Sequence, residues 1–270
     1  MSTPLTVIYV AYGPDEVYHT GVLFNWLRLV GLGYAKSINN VVVYTDQPHR
    51  YAEYPITLRT ITPTEMTDWT LSGRYHFRIK TKALDEATSQ YGGKVLLIDS
   101  DILIDRPLTN VFDAISSDHC VFAANEGPLC SDYAKILSSE RTDFLQYYKN
   151  TTDVNMYCSA LIGVSERMLP AISLADQLML QWLPKTNAHT VEQFAISEAL
   201  LRQGNTIVSG SKWFDDFNSK GKKAHAKQRI NAFFERTQGL NFEQKSKIAA
   251  HWKVQRSFLV WLKQKLKITS

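Results

Sequence analysis

Apolar and polar positions along this chain follow two periods in turn. "LTVIYVAY", from Leu5, is rich in β-branched and aromatic residues and predicts a buried strand, with the turn residues "GPD" after it. Val22, Leu23, Trp26, Leu27 and Val30 then recur at the spacing of one helical face. "NNVVVYTD" and "ITLRTI" predict a second and a third strand. From Arg74 to about Tyr91 the period is helical again, with Ile79, Ala83, Ala87 and Tyr91 four apart, and Gly92 and Gly93 stop it. "KVLLIDSD" predicts the next strand, "DHCVFAAN" and "MYCSALIGV" two more, and "NTIVSGS" a short further one. Pro170 to Leu183 and Val191 to Gln203 read as helices, the second stopped by Gly204.

This alternation predicts an α/β fold with a mostly parallel sheet. Composition adds one boundary. Residues 212–270 carry 14 Lys+Arg against 4 Asp+Glu, whereas residues 1–211 carry 16 against 22. The expectation is one α/β domain over 1–211 and a basic C-terminal extension, 212–270, packed on it. Within the extension, Phe258, Leu259, Leu262 and Leu266 share a helical face, and Lys263, Lys265 and Lys267 lie toward the other. A helix over 256–268 therefore suits either an anionic membrane surface or packing on the core. Nucleic acid is not an expected partner, because the body is acidic and the basic cluster comes with no binding motif.

A hydrophobic content of 44% and a charged content of 21% exclude a disordered chain. The longest apolar runs, "VVVY" and "FLVWL", fall far short of a membrane span, and the N-terminus lacks the pattern of a secretory leader. Cys120, Cys130 and Cys158 are odd in number, lack metal-ligand spacing and are expected to act as small hydrophobes. The expected location is the cytoplasm, with peripheral attachment to the inner face of a membrane if the tail binds lipid.

The candidate chemistry sits in "KVLLIDSDILI". After five strand residues, Asp99 and Asp101 stand two apart, so both carboxylates can face one point at the strand's carboxyl end. Ligands of open parallel sheets bind at that edge. Two close carboxylates do not both ionise readily without a cation, and Mg²⁺ or Mn²⁺ prefers such oxygen ligands. A cage of two carboxylates is completed by water and substrate phosphates, which points to a nucleotide or phosphate ester. The alternative is a pair of loop aspartates that cap a turn.

"VLLIDSDILIDRPL" resembles the Asp-x-Asp segment of glycosyltransferases of the GT-A fold, which is a Rossmann-like sheet flanked by helices. The nearest likeness in motif order is to the bacterial lipopolysaccharide galactosyltransferase and glycogenin group. Further segments agree in order and together span most of residues 5–253, although only the Asp-x-Asp segment is specific alone. The resemblance implies a UDP-sugar donor, a glycan or lipid-linked acceptor, and Mn²⁺ or Mg²⁺ held by Asp99 and Asp101, with Ser100 between them at the nucleotide. "GPDEVYHTGVLFNWLRL" is similar to the element that holds the nucleobase, which implies roles for Asp15 and Tyr18; Tyr12, just before it, is a further nucleotide-binding candidate. "YHFRIKTKAL" resembles the helix that supplies a basic residue to the nucleotide, with Arg78 and Lys82 as candidates on one face. "YCSALIGV" resembles the strand beside the donor sugar, which implies that place for Ser159 and Ala160.

"VEQFAISEAL" is similar to the family's Asp-Gln element, a resemblance that implies a place for Glu192 and Gln193 near the reacting carbon. Glu192 would be the base in an inverting enzyme. In a retaining one, which the resemblance favours, the pair positions the sugar and stabilises charge. "AAHWKV" makes His251 a third metal-ligand candidate and Lys253 a phosphate candidate, but the glycine of the family pattern is missing and His225 competes. Each residue also has a plainer reading. Asp15 can cap the following helix, Tyr18 can be core, and Arg78 and Lys82 can form a solvated face. Glu192 can simply favour a helix N-terminus. Two other enzyme classes fit less well. A sugar nucleotidyltransferase would carry a Gly-rich loop where this chain reads "AYGPDEVY". A phosphatase of the haloacid-dehalogenase type would carry its carboxylate pair on the first strand. A non-catalytic glycan- or membrane-binding module on a transferase fold is the remaining alternative.

Overall fold

A computed structural model describes residues 3–104, 106–217 and 220–255. In chain order the elements are β1 (Leu5–Val10), α1 (Glu16–Gly31), β2 (Asn40–Thr45), β3 (Thr57–Thr60), α2 (Pro63–Trp69), α3 (Arg78–Tyr91), β4 (Lys94–Ile98) and β5 (Ile102–Ile104). They continue as α4 (Leu108–Asp113), β6 (His119–Pro128), α5 (Ala134–Ser139), α6 (Arg141–Tyr147), β7 (Asn155–Ser165), α7 (Leu169–Trp182) and α8 (Val191–Arg202). The last are β8 (Thr206–Ser209), β9 (Phe214–Asp216), α9 (Lys220–Arg236) and α10 (Phe242–His251).

The main sheet has the order β3-β2-β1-β4-β7-β6-β8, and only β7 runs against the rest. Its central strands are apolar on both faces because helices cover both. Val7, Tyr9, Val43, Leu96 and Ile98 face α1 and α4, while Ile8, Val42, Tyr44, Val95 and Leu97 face α3, α7 and α8. Successive strand residues thus feed two cores in turn, as the two-residue period requires. The sheet is the mostly parallel α/β architecture that the alternating pattern predicts.

The basic extension begins as structure rather than as a tail. β9 pairs antiparallel with β5 just after the Asp99–Asp101 turn, and Phe24 and Leu27 of α1 bury against Ile230, Phe233 and Val254. Phe24 and Phe233 meet edge-to-face at 5.1 Å. α10 lies so close to α1 that a Cβ on Gly31 would stand 2.0 Å from the Ser246 carbonyl oxygen. Arg28 donates to the last-turn carbonyls of the buried Ala249 and Ala250 at 3.2 and 3.1 Å, which closes the end of α10. The helix expected over 256–268, and with it the membrane contact, lies outside the described residues. Among the described residues no helix is long and apolar enough to cross a membrane. Cys120 and Cys158 are buried, but Cys130 is exposed and so does not serve as a core hydrophobe.

Two basic residues assigned to the nucleotide have another task. Arg78 is buried and grips Asp176 of α7 with Nε and Nη2 at 2.6 and 2.9 Å, while Nη1 donates to the Asp68 carbonyl. Lys82, one turn on, stands 3.7 Å from the same Asp176 carboxylate. Their face of α3 turns toward α7, so this pair fastens helices together. Urea denaturation will separate their roles. Arg78→Ala should lower the unfolding free energy by roughly 3 kcal/mol, as when one partner of a largely buried pair is removed. Lys82→Ala should change it by less than about 1 kcal/mol.

Candidate functional site

The chain leaves β1 through α1 for β2 on one side, and β4 joins β1 on the other. Strand order reverses there, and the diverging connections open a crevice beyond the carboxyl ends of both strands. That crevice is a cleft of about 460 Å³. Tyr12 follows β1, Tyr18 comes from α1, Lys80 from α3, and Asp99, Ser100 and Asp101 from the end of β4.

The Asp99–Asp101 turn is fixed from three directions. Asp99 N–H donates to the Ala160 carbonyl of β7 at 2.8 Å, which continues the sheet ladder by one more bond, and Ile102 N–H then closes the turn on the Asp99 carbonyl at 3.2 Å. From α1, Asn25 Nδ2 donates to the Ile102 carbonyl at 2.8 Å. Gly21 approaches so closely that a Cβ there would lie 2.5 Å from the Ser100 carbonyl oxygen, so any side chain would push the turn away. From β9, Phe217 N–H donates to the Asp101 carbonyl at 3.2 Å.

The two carboxylates meet two ammonium groups. Lys80 Nζ lies 2.8 Å from Asp99 Oδ2 and 3.8 Å from Glu192 Oε1, with the Ser159 carbonyl and hydroxyl oxygens both at 3.4 Å. Lys223, at the start of α9, lies 2.8 Å from Asp101 Oδ2. Burial pushes the Asp99 carboxyl up to about 7, and Asp101 adds to the rise against the pull of Lys80. Burial also raises Glu192. Burial would lower Lys80, but Asp99 and Glu192 hold it above its ordinary value. Lys80 is therefore the basic residue that α3 delivers to the site, in place of Arg78 and Lys82. Its signal in the sequence is the row Lys80, Leu84, Thr88: the two later members are buried, so the row faces the sheet and carries a cation into it.

Glu192 and Gln193 open α8, whose N-terminus has no side-chain cap of its own. The Tyr75 hydroxyl serves there instead, accepting from Glu192 N–H at 2.8 Å and donating to the His189 carbonyl at 3.0 Å. Glu192 is buried, with Oε1 lacking a hydrogen-bond partner. Gln193 Nε2 donates to Oε2 of the exposed Glu126 at 3.0 Å. Glu126 stands where β6 shifts register between Asn125 and Gly127, so an irregular strand end sets its position. Tyr75 and Glu126 carry no sequence signal, because each acquires its role through partners distant along the chain.

At the other end of the cleft Asp15 does cap α1, with Oδ1 accepting from Val17 N–H at 3.1 Å. Tyr18 is 48% exposed, which removes the core reading and leaves a ring face open for stacking. Tyr12 lies parallel to His76 and donates its hydroxyl to the His76 carbonyl at 3.3 Å. His251 and Lys253 are not brought in with these groups. His251 is exposed at the end of α10, and Lys253 is exposed, with its carbonyl accepting from Arg229. Among the described residues no three His, Cys, Asp or Glu side chains gather as a metal-binding group, His251 with Asp99 and Asp101 included.

No protein-family model matches the chain, and no curated protein matches it in sequence. Solved structures similar to it include the following three. A galactosyltransferase, LgtC, in complex with donor and acceptor sugar analogs is 12% identical, with 75% of this chain and 73% of that one covered and a TM-score of 0.45. Mouse xyloside xylosyltransferase 1 in its apo form is 10% identical, with 76% and 84% covered and a TM-score of 0.48. A glycosyltransferase involved in glycosylation of the major capsid of PBCV-1 is 11% identical, with 85% and 99% covered and a TM-score of 0.49.

The charge cluster has a direct spectroscopic test. The Asp99 carboxyl ¹³C shift should titrate near pH 7 in the free protein. Removing the neighbouring like charge, in Asp101→Asn, should move that midpoint down, and removing the cation, in Lys80→Met, should move it up. An Asp99 that titrates in the ordinary carboxylate range and ignores both changes would refute the coupling.

Proposed function

We propose that this chain is a glycosyltransferase, which moves a hexose from a UDP-sugar bound at the Asp99–Asp101 turn to a glycan or lipid-linked acceptor. The observation that carries this reading is the convergence of Asp99, Asp101, Lys80 and Glu192 at the strand-order reversal of a mostly parallel sheet. There, a nucleotide's phosphates meet charged groups and a flat tyrosine surface at once.

The carboxylate groups fit a divalent cation. Asp99, Asp101 and Glu192 outnumber Lys80 and Lys223, and burial, with Asp101 and Glu192 adding to it against the pull of Lys80, holds the Asp99 carboxyl near 7. Asp99 and Asp101 would hold Mn²⁺ or Mg²⁺ through hard oxygen ligands. Such an ion supplies neutralisation of the charge that develops on a departing diphosphate.

The remaining work falls to the protein's own groups. Tyr18 offers its exposed ring to the base, and Tyr12 lines the cleft beside it. Lys80 bridges Asp99 and Glu192, which puts an ammonium between the leaving group's phosphate and the sugar. As the bond from C1 to the diphosphate oxygen breaks, positive charge gathers on the sugar ring. The Glu192 carboxylate, buried and short of hydrogen bonds, stabilises that charge electrostatically. The acceptor oxygen bonds to C1 and its proton passes to the diphosphate oxygen that leaves. A base is then unnecessary, which suits retention of configuration. Glu192 is too enclosed to receive an incoming hydroxyl, whereas Gln193 and Glu126 stand nearer the solvent, where an acceptor would enter.

A thermal-shift panel of nucleotide sugars with and without Mn²⁺ tests the reading. A UDP-sugar at a hundred times its dissociation constant should stabilise the protein by about 2.7 kcal/mol, a shift of several degrees. The shift should require the metal and vanish in Asp101→Ala. If no nucleotide sugar stabilises the protein with any divalent ion, the donor-site assignment fails.

A further inference from the structure

A second chamber opens on the far side of the Lys223–Asp101 pair. It is a cavity of about 230 Å³ between α1 and α9, and it shares Tyr18, Ser100, Asp101 and Lys223 with the first cleft. The ion pair, at 2.8 Å, is thus a partition between two rooms. The lining of the second room differs from that of the first. Val17, Phe217, Ala226 and Ile230 make it apolar, and the Thr20 hydroxyl is already committed to the Glu16 carbonyl at 2.9 Å. A free saccharide would find few groups there to replace its water, and apolar chain would find contact on several sides.

The rim adds a charge. Lys227 follows Lys223 by one helical turn on α9 and is exposed at the chamber. Lys223 is engaged by Asp101, but Lys227 has no ion-pair partner among the described residues. An apolar pocket with an unpaired ammonium at its lip is complementary to an amphipathic anion. The volume admits about eight groups of methylene or water size, at roughly 30 Å³ each. That is a short stretch of chain next to a charged head.

We propose that the α1–α9 chamber binds the aglycone of the acceptor, and that this aglycone is an alkyl or isoprenyl chain ending in a phosphate ester. The apolar chain lies against Val17, Phe217, Ala226 and Ile230, and the phosphate pairs with Lys227. The Lys223–Asp101 partition then stands between the acceptor's head and the donor's diphosphate. The acceptor role rests on the donor reading of the first cleft; the binding itself does not.

The test is calorimetric titration of the full chain with octyl phosphate below its aggregation concentration, in the absence of nucleotide and divalent ions. Octyl phosphate should bind, while octanol and inorganic phosphate should each bind at least about tenfold more weakly, since each keeps only half of the recognition. Lys227→Ala should weaken octyl phosphate about tenfold without changing the weak binding of octanol. Val17→Trp, which fills the chamber from its half-buried lip, should abolish binding of both chain-bearing ligands. Undiminished octyl phosphate binding in Lys227→Ala and in a folded Val17→Trp overturns the proposal, as does an absence of binding to the unaltered protein. Should Val17→Trp fail to fold, the contrast between octyl phosphate and octanol in Lys227→Ala decides alone. Because no nucleotide is present, the two readings fail separately. Octyl phosphate binding without any nucleotide-sugar stabilisation would overturn the donor site and keep the chamber; the reverse would overturn the chamber alone.

Discussion

The carboxylates of Asp99 and Asp101 follow β4, Lys80 ties Asp99 to the buried Glu192, and the surrounding structure is organised around holding these charges in place. Carboxylates this close repel, so each needs a cation, a hydrogen-bond donor or a proton. Lys80 answers Asp99 and Glu192 from α3, Lys223 answers Asp101 from α9, and burial raises Asp99 and Glu192 toward the protonated form. The arrangement is held in a state that a multivalent ligand can improve. A diphosphate with a divalent ion would bring both the cation that the carboxylates lack and the anion that the lysines can accept.

Holding such a cluster demands backbone that does not yield. The turn is clamped by β7 through Ala160, by α1 through Asn25 and the bare flank of Gly21, and by β9 through Phe217. This gives the basic extension a structural reason to exist. β9 and α9 supply one clamp and one cation to the turn, and α10 secures α1 against shifting. The region that changes sign in composition at Lys212 therefore completes the site. One of its cations, Lys223, meets the Asp101 carboxylate of the acidic body.

Much of the sheet was legible because its strands obey simple rules. Runs such as "LTVIYV" and "VVVY" are buried on both faces, and Gly92, with φ of 61° and ψ of −163°, ends α3 in a backbone conformation that only glycine adopts readily. The helical pattern begins at Arg74, but residues 74–77 are turn and irregular backbone and α3 starts only at Arg78. α2 was missed, although Thr62, Pro63 and Glu65 spell a capping box with proline in the first turn. At the site, Asp99 and Asp101 could be found because two residues on one strand end share a direction. Arg78 and Lys82 were misplaced for a related reason. Spacing puts them on one face of a helix, but only the packing of α7 says that this face meets Asp176. Lys223, Tyr75 and Glu126 depend on partners between 67 and 122 positions away in the chain, and no local pattern encodes such pairs.

Whether the Asp99–Asp101 turn grips a nucleotide diphosphate can be read from ³¹P relaxation of UDP-hexose added to the protein with substoichiometric Mn²⁺. Paramagnetic broadening of both phosphorus resonances should appear with the unaltered protein well beyond that caused by free Mn²⁺. It should fall to the protein-free level in Asp101→Asn. Equal broadening with the unaltered protein and with Asp101→Asn, or none beyond the protein-free level in either, would contradict the account.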